Sequence, residues 1–448
     1  METFRGKTKG DVNLNNSRKH KLFFLFVIIN VLFPKAGVKF AGIPITLGSV
    51  LLLFLIVKEF GILINKKKLS LGLYSKLVLL DVIYWIIRML VGFILKYNTT
   101  FAGTVGSDIS YFVSYVIYTL AFFISLHEIS NHEQMVEISE VISSCIFITM
   151  LYALLQYICG IGITAIPGIT VNLSDYLEAP NSWWLEKYNS FGSNSSKIMS
   201  TYQNGNIYGA NLILLFPLSY LSLQYKKKYL LSYIFLGVFC LCIYLTGSRS
   251  MCIGMLFYIL VLLLQTISKQ LKKRTVIFGG CTTIVGGYAI YKIFSSKSEL
   301  VQRMLSALNK NVLLSATGRT EQLVIYFQWL FSNLHIGYIL GGAYGFNYEG
   351  GSYEVLIGTI FIMGGMVGVI VFFTPYIIIM FKLFKQKDWI SRGISTGLLI
   401  YLITSLVEGA FWLPPTAMNV WMLLGLGTWL LEHSNKFLDK NLSSNLIQ

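Results

Sequence analysis

Charge is scarce in this chain. Of its 448 residues only 12% are Asp, Glu, Lys or Arg while 55% are hydrophobic, and several apolar runs of about 20 residues hold almost no ionisable side chain. That balance excludes a water-soluble globular protein. A helix crosses a hydrocarbon layer about 30 Å thick with about 20 apolar residues, so the composition predicts a polytopic membrane protein. Paired cysteines are missing as well. Cys145, Cys159, Cys240, Cys242, Cys252 and Cys281 fall in or beside apolar runs without metal-ligand spacing, and read as lipid-embedded free thiols. The chain also lacks a DxD motif, a phosphate-binding P-loop, HExxH and a Gly-x-Ser-x-Gly elbow. No metal and no cofactor is therefore expected. There is no internal repeat, no low-complexity tract and no nucleic-acid-binding motif, so the net charge of +16 is not taken as a nucleic-acid signature.

What is present is an alternation of apolar runs and short basic loops. An all-α fold of about twelve transmembrane helices is expected, near 22–38, 42–64, 77–95, 109–126, 138–158, 206–224, 229–246, 250–267, 275–294, 352–381, 393–411 and 416–431. These make one transmembrane domain, 22–431, between a basic tail, 1–21, and a C-terminal tail, 432–448. The first run follows this tail and leads into further spans without a small-residue cleavage site, and it reads as a retained first helix. With both termini in the cytoplasm, the inner loops gather Lys66 to Lys68, Lys76, Lys226 to Lys228, Lys269 to Arg274 and Lys382 to Arg392, a strong positive-inside pattern. The inner loop from Leu126 to Glu140 is the exception, with Glu128, Glu133 and Glu137 and no Lys or Arg. Acidic residues weigh little in that rule, so the even count of spans stands.

Two long segments, 159–205 and 295–351, then fall outside and carry most of the unusual chemistry. The first holds Asp175, Glu178, Glu186, Lys187, Trp183 and Trp184. In the second, Leu323, Tyr326, Phe327, Leu330, Phe331 and Leu334 recur at helical spacing and predict an amphipathic helix on the outer leaflet. Four ionisable residues stand out against this background. Arg249 follows the tight polar turn Thr246, Gly247, Ser248 at the outer boundary, where snorkelling into headgroups accounts for it as readily as binding. Arg88 lies deep in the third run, where an arginine costs about 2.5 kcal/mol or more and so faces the protein interior, water or an anionic partner. Arg319 heads the proposed outer helix. Glu354 opens an apolar run at the depth where a carboxylate loses water, a candidate base. Outward arginines, a carboxylate, amides and aromatics suit a substrate carrying phosphate and sugar.

Three segments resemble the O-antigen ligase and Wzy-type polysaccharide polymerase superfamily. STYQNGNIYGANLILLFPLSYL, from Ser200 to Leu221, is similar to its Asn-x-Asn segment, with Asn204 and Asn206 in the amide positions. LTGSRSMCIGMLF, from Leu245 to Phe257, resembles its Thr-x-Ser-Arg turn. ATGRTEQLVIYFQWLF, GGAYGF and YEVLIGTIFIMGGMVG resemble its Gly-Arg helix, glycine-rich stretch and final Gly-x-x-Gly helix. The likeness runs from about Ser200 to Ile370. Ligases often open the last helix with His-Asn; Glu354 and Val355 stand there here, which shifts the expectation towards a polymerase.

The resemblance implies a bacterial cytoplasmic-membrane enzyme that transfers a growing glycan from a polyprenyl pyrophosphate carrier to a sugar hydroxyl of another lipid-linked repeat unit, on the outer face. Membrane lipids, a flippase and a chain-length regulator are its implied partners. Arg249 and Arg319, then Arg88, would stabilise the departing pyrophosphate without a metal. Glu354 would be the general base, with Glu321 or Glu349 as substitutes. Gln203, Asn204 and Asn206 would hold sugar hydroxyls, with Ser248 and Glu321 also counted among the substrate contacts. A ligase of the same fold, a lipid-linked oligosaccharide flippase or other transporter, and a non-catalytic assembly partner are the alternatives.

Overall fold

The computed structural model describes residues 20–40, 43–66, 71–94, 105–177, 197–268, 355–406, 411 and 414–445. They form α1 (Lys21–Leu32), β1 (Gly37–Phe40), β2 (Ile43–Thr46), α2 (Leu47–Lys66), α3 (Leu73–Ile94), α4 (Val105–Glu128) and α5 (His132–Cys159). Two short helices follow, α6 (Ile161–Thr164) and α7 (Leu173–Leu177). Then come α8 (Gly205–Tyr225), α9 (Tyr229–Leu245), α10 (Arg249–Ser268), α11 (Leu356–Phe384), α12 (Trp389–Ser405) and α13 (Pro414–Asn445). Among the described residues, His132–Cys159, Gly205–Tyr225 and Gly364–Phe384 are long and apolar enough to cross a membrane. The expected run 275–294, the outer segment 295–351 and its amphipathic helix lie outside the described residues.

The first expected run requires correction. Its helix stops at Leu32, and the chain turns through Pro34 into an antiparallel hairpin that pairs Gly37 with Thr46 and Phe40 with Ile43. A proline disfavours helical geometry in the residue before it, so Phe33 leaves the helix. The hairpin's root is tied down at both ends: Gly37 N–H donates to the Gly168 carbonyl at 3.1 Å, and Leu47 N–H to the Ala36 carbonyl at 2.7 Å.

At the centre lies α8, buried on nearly every side, as a helix apolar all round should be. It packs against α12, α5, α9, α10 and α13. Gly393 and Gly397 of α12, one turn apart, face Leu218 and Leu214 of α8. Small residues at that spacing let two backbones approach, which is the main source of helix affinity where lipid is as apolar as the side chains. Amides then lock the core. Asn30 donates to Asn419, Asn419 to Asn211, each at 2.8 Å, and Asn211 to Thr416 at 2.9 Å, so α1, α8 and α13 are tied by one buried chain of hydrogen bonds.

A second polar centre joins α3, α4 and α11. Asp81, fully buried, accepts from Tyr115 Oη at 2.6 Å and from Trp85 Nε1 at 3.0 Å. Trp85 in turn packs on Gly364, where an added Cβ would stand 2.7 Å from the indole. The run expected as one continuous span, 352–381, is broken here: Gly365 has φ 63° and ψ −165° inside α11. Only a residue without a Cβ adopts that conformation freely. The break removes a carbonyl from the helical ladder, and in an apolar interior such a group needs a new partner; Tyr84 Oη donates to the Gly364 carbonyl. Asp81→Asn offers one acceptor oxygen to two donors, and is expected to cost about 1–3 kcal/mol, the cost of one buried donor left unsatisfied. Thermal unfolding in detergent checks this, and an unchanged midpoint would remove Asp81 from the tertiary lock.

The acidic loop that breaks the charge pattern is compensated in part at the bundle end where it sits, at Glu128, His127 and Glu140. Glu128 takes Lys58 Nζ and lies 3.5 Å from His20, Glu59 lies 3.5 Å from His127, and Glu140 lies 2.7 Å from Lys226. Those pairs join residues distant in sequence, so Glu128, His127 and Glu140 each have an oppositely charged or ionisable neighbour that their own loop does not contain.

Candidate functional site

At the opposite end of the bundle, the segment before α8 is pinned on three sides. Ile198 N–H donates to the Leu245 carbonyl at 3.0 Å, Gln156 Nε2 to the Ser200 carbonyl at 2.7 Å, and Tyr202 Oη to the Val31 carbonyl at 2.8 Å. Ser200 Oγ donates to the Thr149 carbonyl at 2.7 Å, and its backbone sits at φ 52°, a strained value for a residue with a side chain. This anchoring sets where Gln203, Asn204 and Asn206 stand.

Asn204 is the N-cap of α8. Its Oδ1 accepts from Ile207 N–H at 2.9 Å, satisfying one of the donors that a helix start leaves over, so that oxygen is occupied and the amide nitrogen is what it offers to a ligand. Gln203 is exposed and Asn206 half-buried, and among the described residues neither has a side-chain hydrogen-bond partner.

The Thr246–Arg249 turn meets this segment directly. A Cβ built on Gly205 would stand 2.5 Å from the Thr246 carbonyl oxygen and 3.1 Å from that of Ile198, so only glycine permits the approach. Within the turn, Thr246 Oγ1 donates to the Ile243 carbonyl at 2.6 Å and receives Ser248 N–H at 3.3 Å, while the Ser248 and Ser250 hydroxyls are 3.2 Å apart. Gly247 takes φ 65°, and Ser248 is buried. Arg249 opens α10 exposed, and among the described residues it has no hydrogen-bond or ion-pair partner. The carbon stem of Lys197 lies across Gly247.

Two of the three sequence segments are thus brought into contact across about 40 positions of chain, and with them the starts of α8 and α10. Each helix start presents backbone N–H groups and a partial positive charge, and Arg249 and Lys197 add full ones. An anion with hydroxyl-bearing substituents is the ligand this arrangement can hold. Arg88 is not part of it: buried on α3, it shares the face of Asp81, Tyr84 and Trp85 that packs on α11. Arg319, Glu321 and Glu354 lie outside the described residues. Sequence reasoning passed over Lys197, Gln156 and Asp81. The signal for Asn204 as a cap was a polar residue directly ahead of an apolar helix; nothing local marked Lys197, whose position matters only because Gly247 receives it. Among the described residues, no three His, Cys, Asp or Glu side chains are grouped to hold a metal ion.

Comparison with protein-family models finds no match to the chain, and comparison with curated proteins finds no similar sequence.

Proposed function

We propose that the protein is a multi-pass membrane glycosyltransferase that joins lipid-linked oligosaccharide repeat units into a polysaccharide, working at the outer face of a bacterial cytoplasmic membrane. In this reading the chain has twelve spans and cytoplasmic termini, so the junction of α8 and α10 faces outward. The observation that carries it is the contact of Gly205 with Thr246, which gathers amides, helix starts and Arg249 at one end of the bundle. The acceptor hydroxyl attacks the anomeric carbon, the bond from that carbon to the carrier pyrophosphate breaks, and the hydroxyl proton passes to Glu354. Arg249 and Arg319 meet the charge that gathers on the leaving pyrophosphate, through paired hydrogen bonds. Gln203, Asn206 and the Asn204 amide nitrogen hold sugar hydroxyls.

The test is polymer formation by purified protein from lipid-linked repeat units in the presence of chelator. A ladder growing in repeat-unit steps is expected. Arg249→Ala and Arg319→Ala should each slow it about a hundredfold, the usual cost of removing one donor from a site of developing charge. Full ladders from both variants would remove the pyrophosphate clamp, and transfer in a single step without a ladder would favour a ligase. Unchanged turnover in Glu354→Gln would move the base to Glu349 or Glu321.

A further inference from the structure

Two carboxylates of the acidic loop are left without a cation. Glu133 and Glu137 stand one turn apart at the start of α5, exposed, and among the described residues neither forms an ion pair. Their polar neighbours are already engaged: Asn131 Oδ1 accepts from Gln134 N–H at 2.9 Å, and Gln134 Oε1 from Ser130 N–H at 2.8 Å. Both carboxylates line a cavity of about 600 Å³ between α1 and α5, to which the head of α1 contributes Lys21 and the buried His20.

The cavity is polar at one end and apolar at the other. His20 Nε2 lies 3.4 Å from Ser130 Oγ, so the starts of α1 and α5 are side by side and the two packed helices enter the bundle in the same direction. Phe24, Leu25 and Ile28, which also line the cavity, lie further along α1, with Ile28 about 10 Å beyond Lys21 at the helical rise. The first N–H groups of α1 have no partner within the helix, and the His20 side chain caps none of them. Those groups and Lys21 favour an anion, while Glu133 and Glu137 favour a cation. Lys21 does not meet the second demand: it lines the same cavity and, among the described residues, pairs with neither carboxylate. A ligand with both signs of charge and an apolar chain answers all three parts. A primary ammonium has three N–H donors and can serve two carboxylates one turn apart, whereas a quaternary ammonium has none. We propose that this cavity binds a phospholipid with an ethanolamine headgroup, its ammonium on Glu133 and Glu137, its phosphate at Lys21 and the start of α1, and one acyl chain along Phe24, Leu25 and Ile28. The site is independent of the glycosyltransferase reading.

The probes are dioleoyl phosphatidylethanolamine, phosphatidylcholine and phosphatidylglycerol, titrated onto the full-length protein in detergent with bound lipid read by native mass spectrometry. Phosphatidylethanolamine is expected to bind more tightly than the other two on the order of tenfold, the worth of one charge-assisted hydrogen bond. Glu133→Gln combined with Glu137→Gln should abolish that preference while phosphatidylcholine affinity stays, which also shows that the variant is folded. Lys21→Gln should weaken all three lipids alike. Glu140→Gln is the control, since Glu140 lies on the same helix but pairs with Lys226 and does not line the cavity, and the preference should persist. Equal binding of the three lipids by the native protein, or a preference that survives the double substitution, would overturn the proposal. Displacement of the lipid by an equal concentration of soluble glycerophosphoethanolamine would overturn the lipid assignment, because the apolar wall would then add nothing.

Discussion

Gly397→Leu is expected to prevent stable folding of the bundle, and Gly397→Ala to lower its thermal midpoint sharply. The reason is the kind of atom that the new side chain meets. A Cβ at position 397 would stand 2.0 Å from the Leu214 carbonyl oxygen, and one at Gly393 would stand 2.7 Å from the Leu218 Cα. Both are backbone of α8, which cannot rotate aside as a side chain would. Relief requires α12 to move away from α8. That separation opens the most enclosed interface in the described structure, because α8 is buried against five neighbours. Crowding a packed core costs about 1–3 kcal/mol where side chains can adjust, and the absence of that adjustment puts this case at roughly 3 kcal/mol or more. Gly237→Ala is the control. Gly237 also lies within a helix, α9, yet nothing stands within 4 Å of its Cβ position, so alanine there should leave the midpoint unchanged or raise it slightly. The measurement is thermal unfolding in detergent followed by size-exclusion recovery. Equal recovery of Gly397→Leu and native protein would mean that α8 and α12 do not meet at these glycines.

Apolar periodicity made some elements of this fold legible and hid others for physical reasons. The runs expected at 138–158 and 206–224 correspond to α5 and α8, because each is a continuous apolar stretch bounded by polar residues. The expectation at 22–38 overshot because a hydropathy run counts Phe33, Ala36 and Val38 as membrane residues, whatever backbone they adopt. Pro34 decided otherwise. In α11 the reverse happened: Gly364 and Gly365 blend into an apolar run, and a break at φ 63° leaves no trace in hydropathy. Asp81 escaped notice because a lone carboxylate in such a run has meaning only through Tyr115 and Trp85, which come from another helix and from one turn onward. The site divides in the same way. The turn at Thr246 to Arg249 was readable from its own residues, since Gly and Ser between two apolar runs mark a turn. Its contact with Gly205, and the bed that Gly247 makes for Lys197, are tertiary facts that one chain segment cannot carry.

Gly205→Val tests whether that contact is what makes the site. Its Cβ would press on the Thr246 and Ile198 carbonyl oxygens, at 2.5 Å and 3.1 Å, and the added methyls leave no rotamer that avoids them. The start of α8 must then withdraw from the turn, carrying Asn204 and Asn206 away from Arg249. Under the proposed polymerase reading, a misplacement of about 1 Å between groups that grip one substrate costs about a hundredfold in rate, so repeat-unit ladders should be almost lost. The fold should survive, because the change falls at the end of the bundle while the Asn30, Asn419 and Asn211 bonds and the Gly397 interface lie elsewhere. Two readouts separate the cases. A folded protein with a lowered but cooperative thermal transition, lost ladders and weakened farnesyl pyrophosphate binding is the expected result. Loss of ladders with native pyrophosphate binding would mean that the amides alone are displaced, and that the cations hold their ligand without help from α8. Native ladders would mean that the α8–α10 junction is a structural contact and that the glycan is handled at another place on the chain.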